Sequence, residues 1–414
     1  MDIINSRTSA TALPLSPPLR TAIAVGIAAM TCVVQAGAAQ AGETKVGETA
    51  VTWGGYVKFD VLYSSFSEGE VAQSTSRDLY VPATIPVSSG GGDRYSVLDA
   101  HAKETRLFIK TETPLDNGMK LGSHIEFDFI VNQGAGTEVV TNAYNPGLRR
   151  AFLTYGNWLA GQEWSTFQNL GAIPETLDFV TFPTDGTVFI RQPQVRYTLG
   201  DFAIAAENPE TTVNAGGTVS AKNDSQLPDV VGRWGMKVGA DGNFTIAALL
   251  RQLSADDADN PATPADDSLD TSTMGFGVSA SGKVALGPSD DIRFMLTTGD
   301  GIGRYVGLGI SADTAVDGDD LDAIGVMAGY VAYRHAWTSQ LRSTATLSSF
   351  RADNDTDFTG TGVTKSVVSG SVNLLYSPAK KLTVGAELRH AERETEAGAD
   401  GSLDRLQLAA KYMF

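Results

Sequence analysis

Apolar and polar residues alternate with a period of two along most of this chain. Near the start Trp53, Gly55, Val57, Phe59, Val61 and Tyr63 share one parity, and Gly54, Tyr56, Lys58 and Asp60 share the other. Further on, Leu121, Ile125, Phe127, Phe129 and Val131 oppose Lys120, His124, Glu126 and Asp128. The dyad returns at Phe244, Ile246, Ala248 and Leu250, and again at Leu382, Val384, Ala386 and Leu388. Successive side chains of a strand point to opposite faces, so the pattern predicts strands with one apolar and one polar face.

The breaks between these runs alternate in length. Short turns are expected at 116–118, 156–157, 200–201, 240–242, 287–290, 337–339 and 377–380. Between them lie long polar segments, among them Ser67 to Ala100, Gln133 to Pro146, Ser254 to Asp270, Gly301 to Leu321 and Asp353 to Thr364. The count is about sixteen strands, joined by seven short turns and eight long loops. This is the rhythm of an all-β, transmembrane, antiparallel up-and-down barrel with short periplasmic turns and long outer loops. A soluble sandwich has no reason to gather its long loops at one end. Sixteen strands also enclose an aqueous channel instead of a filled core.

Both ends of the chain support export to an outer membrane. Arg7 and Arg20 precede an apolar run from Thr21 to Val34 and a small-residue tract ending Ala39-Gln40-Ala41, which reads as a signal peptide over residues 1–41. A bilayer span needs about 20 apolar residues, more than this run holds. Cys32, the single cysteine, falls inside that leader, so the barrel, residues 42–414, has no thiol chemistry. At the other end Leu406, Leu408, Ala410, Tyr412 and Phe414 alternate with Arg405, Gln407, Ala409 and Lys411. A terminal aromatic on an amphipathic strand resembles the signal read by the barrel-assembly machinery, with Tyr412 and Phe414 as girdle residues.

Charge refines the picture. The chain carries 31 basic against 48 acidic residues, a net charge of −17, which argues against nucleic acid as a partner. The acids gather in the long loops: Asp256, Asp257, Asp259, Asp266, Asp267 and Asp270 in one, and Asp313, Asp317, Asp319, Asp320 and Asp322 in another. Such loops suit either divalent-cation bridges to lipopolysaccharide or a solvated outer surface. The cations instead fall within strands, opposite the apolar stripe: Lys58, Arg106, Lys110, Arg150, Arg196, Arg233, Lys237, Arg251, Arg293, Arg342, Arg389, Arg405 and Lys411. A charge facing lipid costs about 2–4 kcal/mol at mid-bilayer, so these side chains are expected in the lumen, where rings of Arg and Lys favour small anions.

One long loop differs from the rest. Ser165 to Gly186 is rich in apolar residues, with Phe167, Leu170, Ile173, Leu177, Phe179 and Phe182 beside Glu175 and Asp178. It needs something to bury against, and folding into the barrel as a constriction supplies it. The segment from Gly161 to Thr198, with Arg149-Arg150-Ala151-Phe152 and Tyr155-Gly156 upstream, resembles the DcaP-like porins of Gram-negative bacteria. The similarity is sharp over about 50 residues and continues elsewhere as strand rhythm. The resemblance implies a homotrimer of sixteen-stranded barrels taking up dicarboxylates and related anions. It also implies that the Trp164–Gly186 loop forms the constriction, with Arg191 and Arg196 lining the pore beside it. Some members carry an N-terminal periplasmic coiled coil, for which Gly42 to Ala50 leaves no room.

Other readings are a non-selective porin, a barrel hydrolase and a structural or adhesive barrel. Ser123 and His124 are adjacent in a strand and point to opposite faces, so they form no dyad. Lone polar-face histidines account for His101, His124, His335 and His390. No His/Cys/acid spacing predicts a metal, no glycine-rich loop predicts a nucleotide, and no other cofactor is expected.

Overall fold

The computed structural model describes residues 42–131, 139–179, 182–222, 224–257 and 269–414. The expected leader, 1–41, and the centres of two long loops, 132–138 and 258–268, lie outside these residues. Sixteen barrel strands follow in order: β1 (Thr49–Phe66), β2 (Tyr95–His101 and Arg106–Pro114), β3 (Lys120–Asp128), β4 (Gly147–Tyr155), β5 (Trp158–Trp164), β6 (Arg191–Leu199), β7 (Phe202–Glu207) and β8 (Asp229–Val238). Then come β9 (Gly242–Asp257), β10 (Leu269–Leu286), β11 (Asp290–Asp300), β12 (Gly325–Ala336), β13 (Leu341–Asp353), β14 (Thr364–Ala379), β15 (Leu382–Thr395) and β16 (Asp400–Met413). Each strand pairs antiparallel with the next, and β16 pairs back onto β1 from Tyr56↔Met413 to Phe66↔Leu403, closing the cylinder. Closure removes both sheet edges, the condition for a sheet to stand in lipid.

The two parities separate as the alternation demands. Val57, Ile125, Leu153, Val195, Ile246, Leu296, Val331, Leu347 and Leu388 are exposed, whereas Asp60, Ser64, Gln194, Thr297, Thr346, Glu387 and Gln407 are buried. An apolar exterior around a polar interior is the inverse of a water-soluble protein and matches a bilayer as solvent. Trp53, Tyr155, Trp158, Phe202, Tyr333, Trp337 and Tyr376 stand exposed toward the turn end, forming one aromatic girdle.

All seven short turns lie at one end, with several shifts from expectation. Ser377 and Pro378 belong to β14, where a bulge between Tyr376 and Ala379 tolerates a residue with no N–H to donate. The eighth connection at the loop end is only residues 396–399, a turn instead of a long loop. Ser254–Asp257 and Leu269–Asp270 are strand, so the Asp256 and Asp257 expected in a loop prolong β9. Tyr95–Ala100 likewise belongs to β2, and Gly42–Val46 is a strand paired with Thr49–Trp53.

The long loops are not simply solvated. Leu79, Tyr80 and Ile85 of the first loop are buried, and Phe167, Phe179 and Phe182 of the apolar loop pack with Val188, Tyr305, Leu79 and Ile130. Two loop hairpins, Thr211–Ala215 with Thr218–Lys222 and Thr314–Asp317 with Asp320–Ala323, join through the parallel pair Val213↔Thr314 into a four-stranded sheet. The apolar packing of this protein therefore sits inside the cylinder and beneath its outer loops.

Candidate channel constriction

The segment after β5 runs along the inner wall. Thr166 donates its N–H to Glu207 of β7 at 2.7 Å, and Asn169 bonds Asn243 of β9 at 2.9 Å. Arg293 of β11 donates to the Ile173 carbonyl, and Tyr330 of β12 to that of Ala172 at 2.9 Å. Glu175 accepts two bonds from Arg342 of β13, at 2.7 and 2.5 Å, and its carbonyl accepts one from Asn373 of β14 at 2.8 Å. Leu177 N–H donates to Glu387 of β15, while its carbonyl accepts from Lys58 of β1 at 2.6 Å and Gln407 of β16 at 3.0 Å. The loop thus engages the polar face of strands from β7 round to β1.

Its return leg is held as closely. The Tyr80 N–H donates to Asp178 at 2.9 Å, and Ser369 of β14 donates to Asp185 at 2.7 Å. Burial pushes the Asp185 carboxyl up from its ordinary value, with the Ser369 hydroxyl pulling it down. Gly186 makes the approach possible: a Cβ there would lie 2.4 Å from both the Gly329 carbonyl and Ser348 Oγ. Gly186→Ala is therefore expected to lift the return leg from the wall. A lower midpoint in heat-modifiability gels and faster proteolysis of the loop would show it; wild-type values in both would refute it.

Cations and rings alternate beside this loop. Arg106 lies between Tyr56 and Phe179, 5.4 and 5.7 Å from their ring centres. Arg149 lies between Phe179 and Trp164, at 5.1 and 5.9 Å. Arg191 lies over Trp164 and Phe189, at 4.6 and 5.6 Å. Guanidinium groups are attracted to ring faces at such separations, so the rings fix the arginines without neutralising them. Alternation alone does not place Arg149 in the lumen, because the ladder is bulged after Glu126. Glu126 opposes Arg150 and Phe127 opposes Leu148, so Arg149 is an extra residue and also reaches Glu126 and Asp128, at 3.1 and 2.7 Å.

The expected lumen cations divide into two groups. Arg251 is only 1% exposed and is locked to Asp229 and to Asp313, the latter at 2.9 Å. It faces no open lumen, contrary to expectation, and Asp313 is a buried partner instead of a solvated loop acid. Arg389 is buried with Glu387 at 3.1 Å, Arg293 is tied to Asp291 and Ile173, and Lys58 to Asp60 and Glu104. Arg106 and Arg150 are half-buried and paired with Asp128 and Glu163. Among the described residues, Lys110, Arg191, Arg196 and Arg233 have no carboxylate within salt-bridge distance. Arg196 donates to Gln194 at 3.0 Å and the Trp164 carbonyl at 2.5 Å, and Arg233 to the Gln168 carbonyl at 3.4 Å. Phe167, Asp178 and Phe182 are buried within the docked loop.

Ser123 bonds Thr111 on the outer face at 2.7 Å, while His124 stacks inside between Phe108 and Phe152. A closed sixteen-stranded cylinder with a lipid-compatible exterior, a charged interior and a loop docked inside it is an outer-membrane channel of the porin class. Residues 45–414 match the model of the DcaP outer membrane protein family. The chain belongs to that family and therefore to the outer membrane of a Gram-negative bacterium. The solved outer-membrane channel DcaP of Acinetobacter baumannii is 25% identical, superposes with a TM-score of 0.72, and is matched over 91% of this chain and 100% of that one. Outer-membrane-expressed OmpT of Vibrio cholerae is 10% identical with a TM-score of 0.54, over 90% and 100% of the two chains. An anion-selective porin from Comamonas acidovorans is 11% identical with a TM-score of 0.50, over 89% and 100%. These two likenesses show the fold alone. No curated protein matches the chain.

Proposed function

We propose that this porin passes small anions by diffusion, dicarboxylates and related organic acids foremost, and catalyses no reaction. The observation that carries the reading is the imbalance at the loop. Glu126, Asp128, Glu163, Glu175, Glu387 and Asp229 are each engaged by an arginine, whereas Arg191, Arg196 and Arg233 have no carboxylate partner among the described residues. Paired acids repel an entering anion little, and free guanidinium groups can hold a carboxylate through two parallel bonds. The docked loop would be the constriction, and Arg191, stacked on Trp164, its selective residue. A homotrimer fits this reading, since one solved neighbour, OmpT of Vibrio cholerae, is described in a trimer form. A mature start near Gly42 fits as well, because that residue already pairs with Trp53.

Acidic loops at the mouth oppose anion entry, but only over a Debye length, about 8 Å at physiological salt. Anion preference is therefore expected to rise with ionic strength, since screening silences the wide mouth before the narrow constriction. Reversal potentials across planar bilayers in asymmetric KCl test this. Arg191→Gln should move the permeability ratio toward cations. Cation preference of the wild-type channel at 1 M salt would overturn the proposal, and wild-type selectivity in Arg191→Gln would remove that residue's role. A non-selective porin would show neither the preference nor its salt dependence.

A further inference from the structure

On the turn side of the docked loop the inner wall holds a second basic recess, of about 500 Å³, which shares Trp164 with the Arg191 stack but is not lined by Arg191. Arg196 of β6 and Arg233 and Lys237 of β8 line it, with Asn243 and Thr245 of β9. Residues 168–171 of the loop form its roof. That roof is fastened: Asn169 donates to Asn243 at 2.9 Å, and Asn243 donates to the Gly171 carbonyl at 3.2 Å. The position near the turns 200–201 and 239–241 puts the recess on the periplasmic side.

The interior of this recess is shaped by what is missing from its walls. On β7, between Arg196 and Arg233, the inward residues are Ala203 and Ala205, each under a tenth exposed. Arg196 opposes Ala205 and Arg233 opposes Ala203 across their ladders. The two arginines therefore rise from strands about 10 Å apart, with only methyl groups between them. Gly235 adds no side chain where a Cβ would come 3.3 Å from Thr245 Oγ1. Two carboxylates also border the recess, Glu163 and Asp201; the first is bound to Arg150 at 2.5 Å and the second lies exposed in the turn. Arg233 spends one weak bond on the Gln168 carbonyl, and Lys237 makes no ion pair among the described residues. Gln168 lines the same recess, is 1% exposed, and has neither side-chain polar atom bonded among the described residues.

We propose that this recess is a separate binding site for a small organic dianion, holding the solute after it clears the loop and before it enters the periplasm. Its size falls in the range of small-ligand sites, and its converging donors match two carboxylates better than one. The proposal rests on the anion-channel reading for the identity of the solute, but not for the existence of the site.

The test is current block in single channels by succinate, added to either side, with butyrate as the monoanionic probe. In the wild type, succinate from the turn side is expected to bind more tightly than butyrate. In Arg233→Gln/Lys237→Gln the turn-side dissociation constant for succinate should rise about tenfold, as the loss of charge-assisted bonds implies, with butyrate moving little. Unchanged turn-side succinate block in the double variant would overturn the site. So would equal weakening of succinate and butyrate, which would make the recess a diffuse field. A heat-modifiability shift confirms that the variant is folded, and Lys237→Gln alone serves as the milder variant. Cation selectivity and no block in the wild type would instead remove the channel reading itself.

Discussion

Deleting Pro174 to Thr184 is expected to raise single-channel conductance well above that of the parent barrel. The deleted stretch crosses in front of the inner wall from β13 to β1. Its removal breaks the Glu175–Arg342 pair, the Leu177 contacts with Lys58, Gln407 and Glu387, and the Asp178–Tyr80 bond. Neutral bonds of this kind contribute about 1 kcal/mol each and those to charged groups about 1.5–3 kcal/mol, so thermal stability falls as well. The barrel is nevertheless expected to survive, because the stripped polar wall then faces lumen water instead of a dry core. Conductance and the heat-modifiability midpoint of purified variant check both parts. Equal or lower conductance in a folded barrel would show that the loop does not limit passage.

Replacing Arg251 with methionine is expected to be far more damaging than replacing Arg191, although both lie in the interior. Arg251 donates to the Gly301 carbonyl at 2.8 Å and to the Glu210 carbonyl, besides pairing with Asp229 and Asp313. Asp313 also accepts the N–H groups of Thr212 and Arg304, both at 2.9 Å, and Tyr305 donates to Asp229 at 2.7 Å. One guanidinium thus joins β8 and β9 to both loops that build the outer four-stranded sheet. Asp229, Asp313 and Tyr305 are fully buried, so no water replaces the lost donors. Stripping one partner from such a site costs about 3–5 kcal/mol. Arg251→Lys, which keeps the charge but not the fork, should fall between. Without Arg251 the Asp313 carboxylate loses its guanidinium and Asp229 keeps only Arg304, at 3.3 Å. Buried carboxylates short of a cation destabilise only while ionised, so the deficit of Arg251→Met should shrink as pH falls. Denaturation midpoints at neutral and acid pH measure this. A variant with wild-type stability and altered selectivity would return Arg251 to the pore.

The alternation of residues such as Val57 and Lys58, or Ile125 and His124, was enough to determine the strands, their number and the face each presents. The reason is local: side-chain direction in a strand depends only on parity, and lipid tolerates only one of the two faces. The apolar composition of 165–186 likewise announced that this segment must be buried. Which cations remain free was decided elsewhere. Lys58 and Glu104, Arg251 and Asp313, and Arg342 and Glu175 are separated in sequence by tens to more than a hundred residues and meet only when the sheet closes and the loops turn inward. Parity could place an arginine in the lumen but could not say whether a loop carboxylate would meet it there. Nor could it foresee the bulge that turns Arg149 inward beside Arg150, because one added residue inverts the rule on which the reading rests. Short-range geometry determined the barrel, and its charge pattern depended on contacts that exist only in three dimensions.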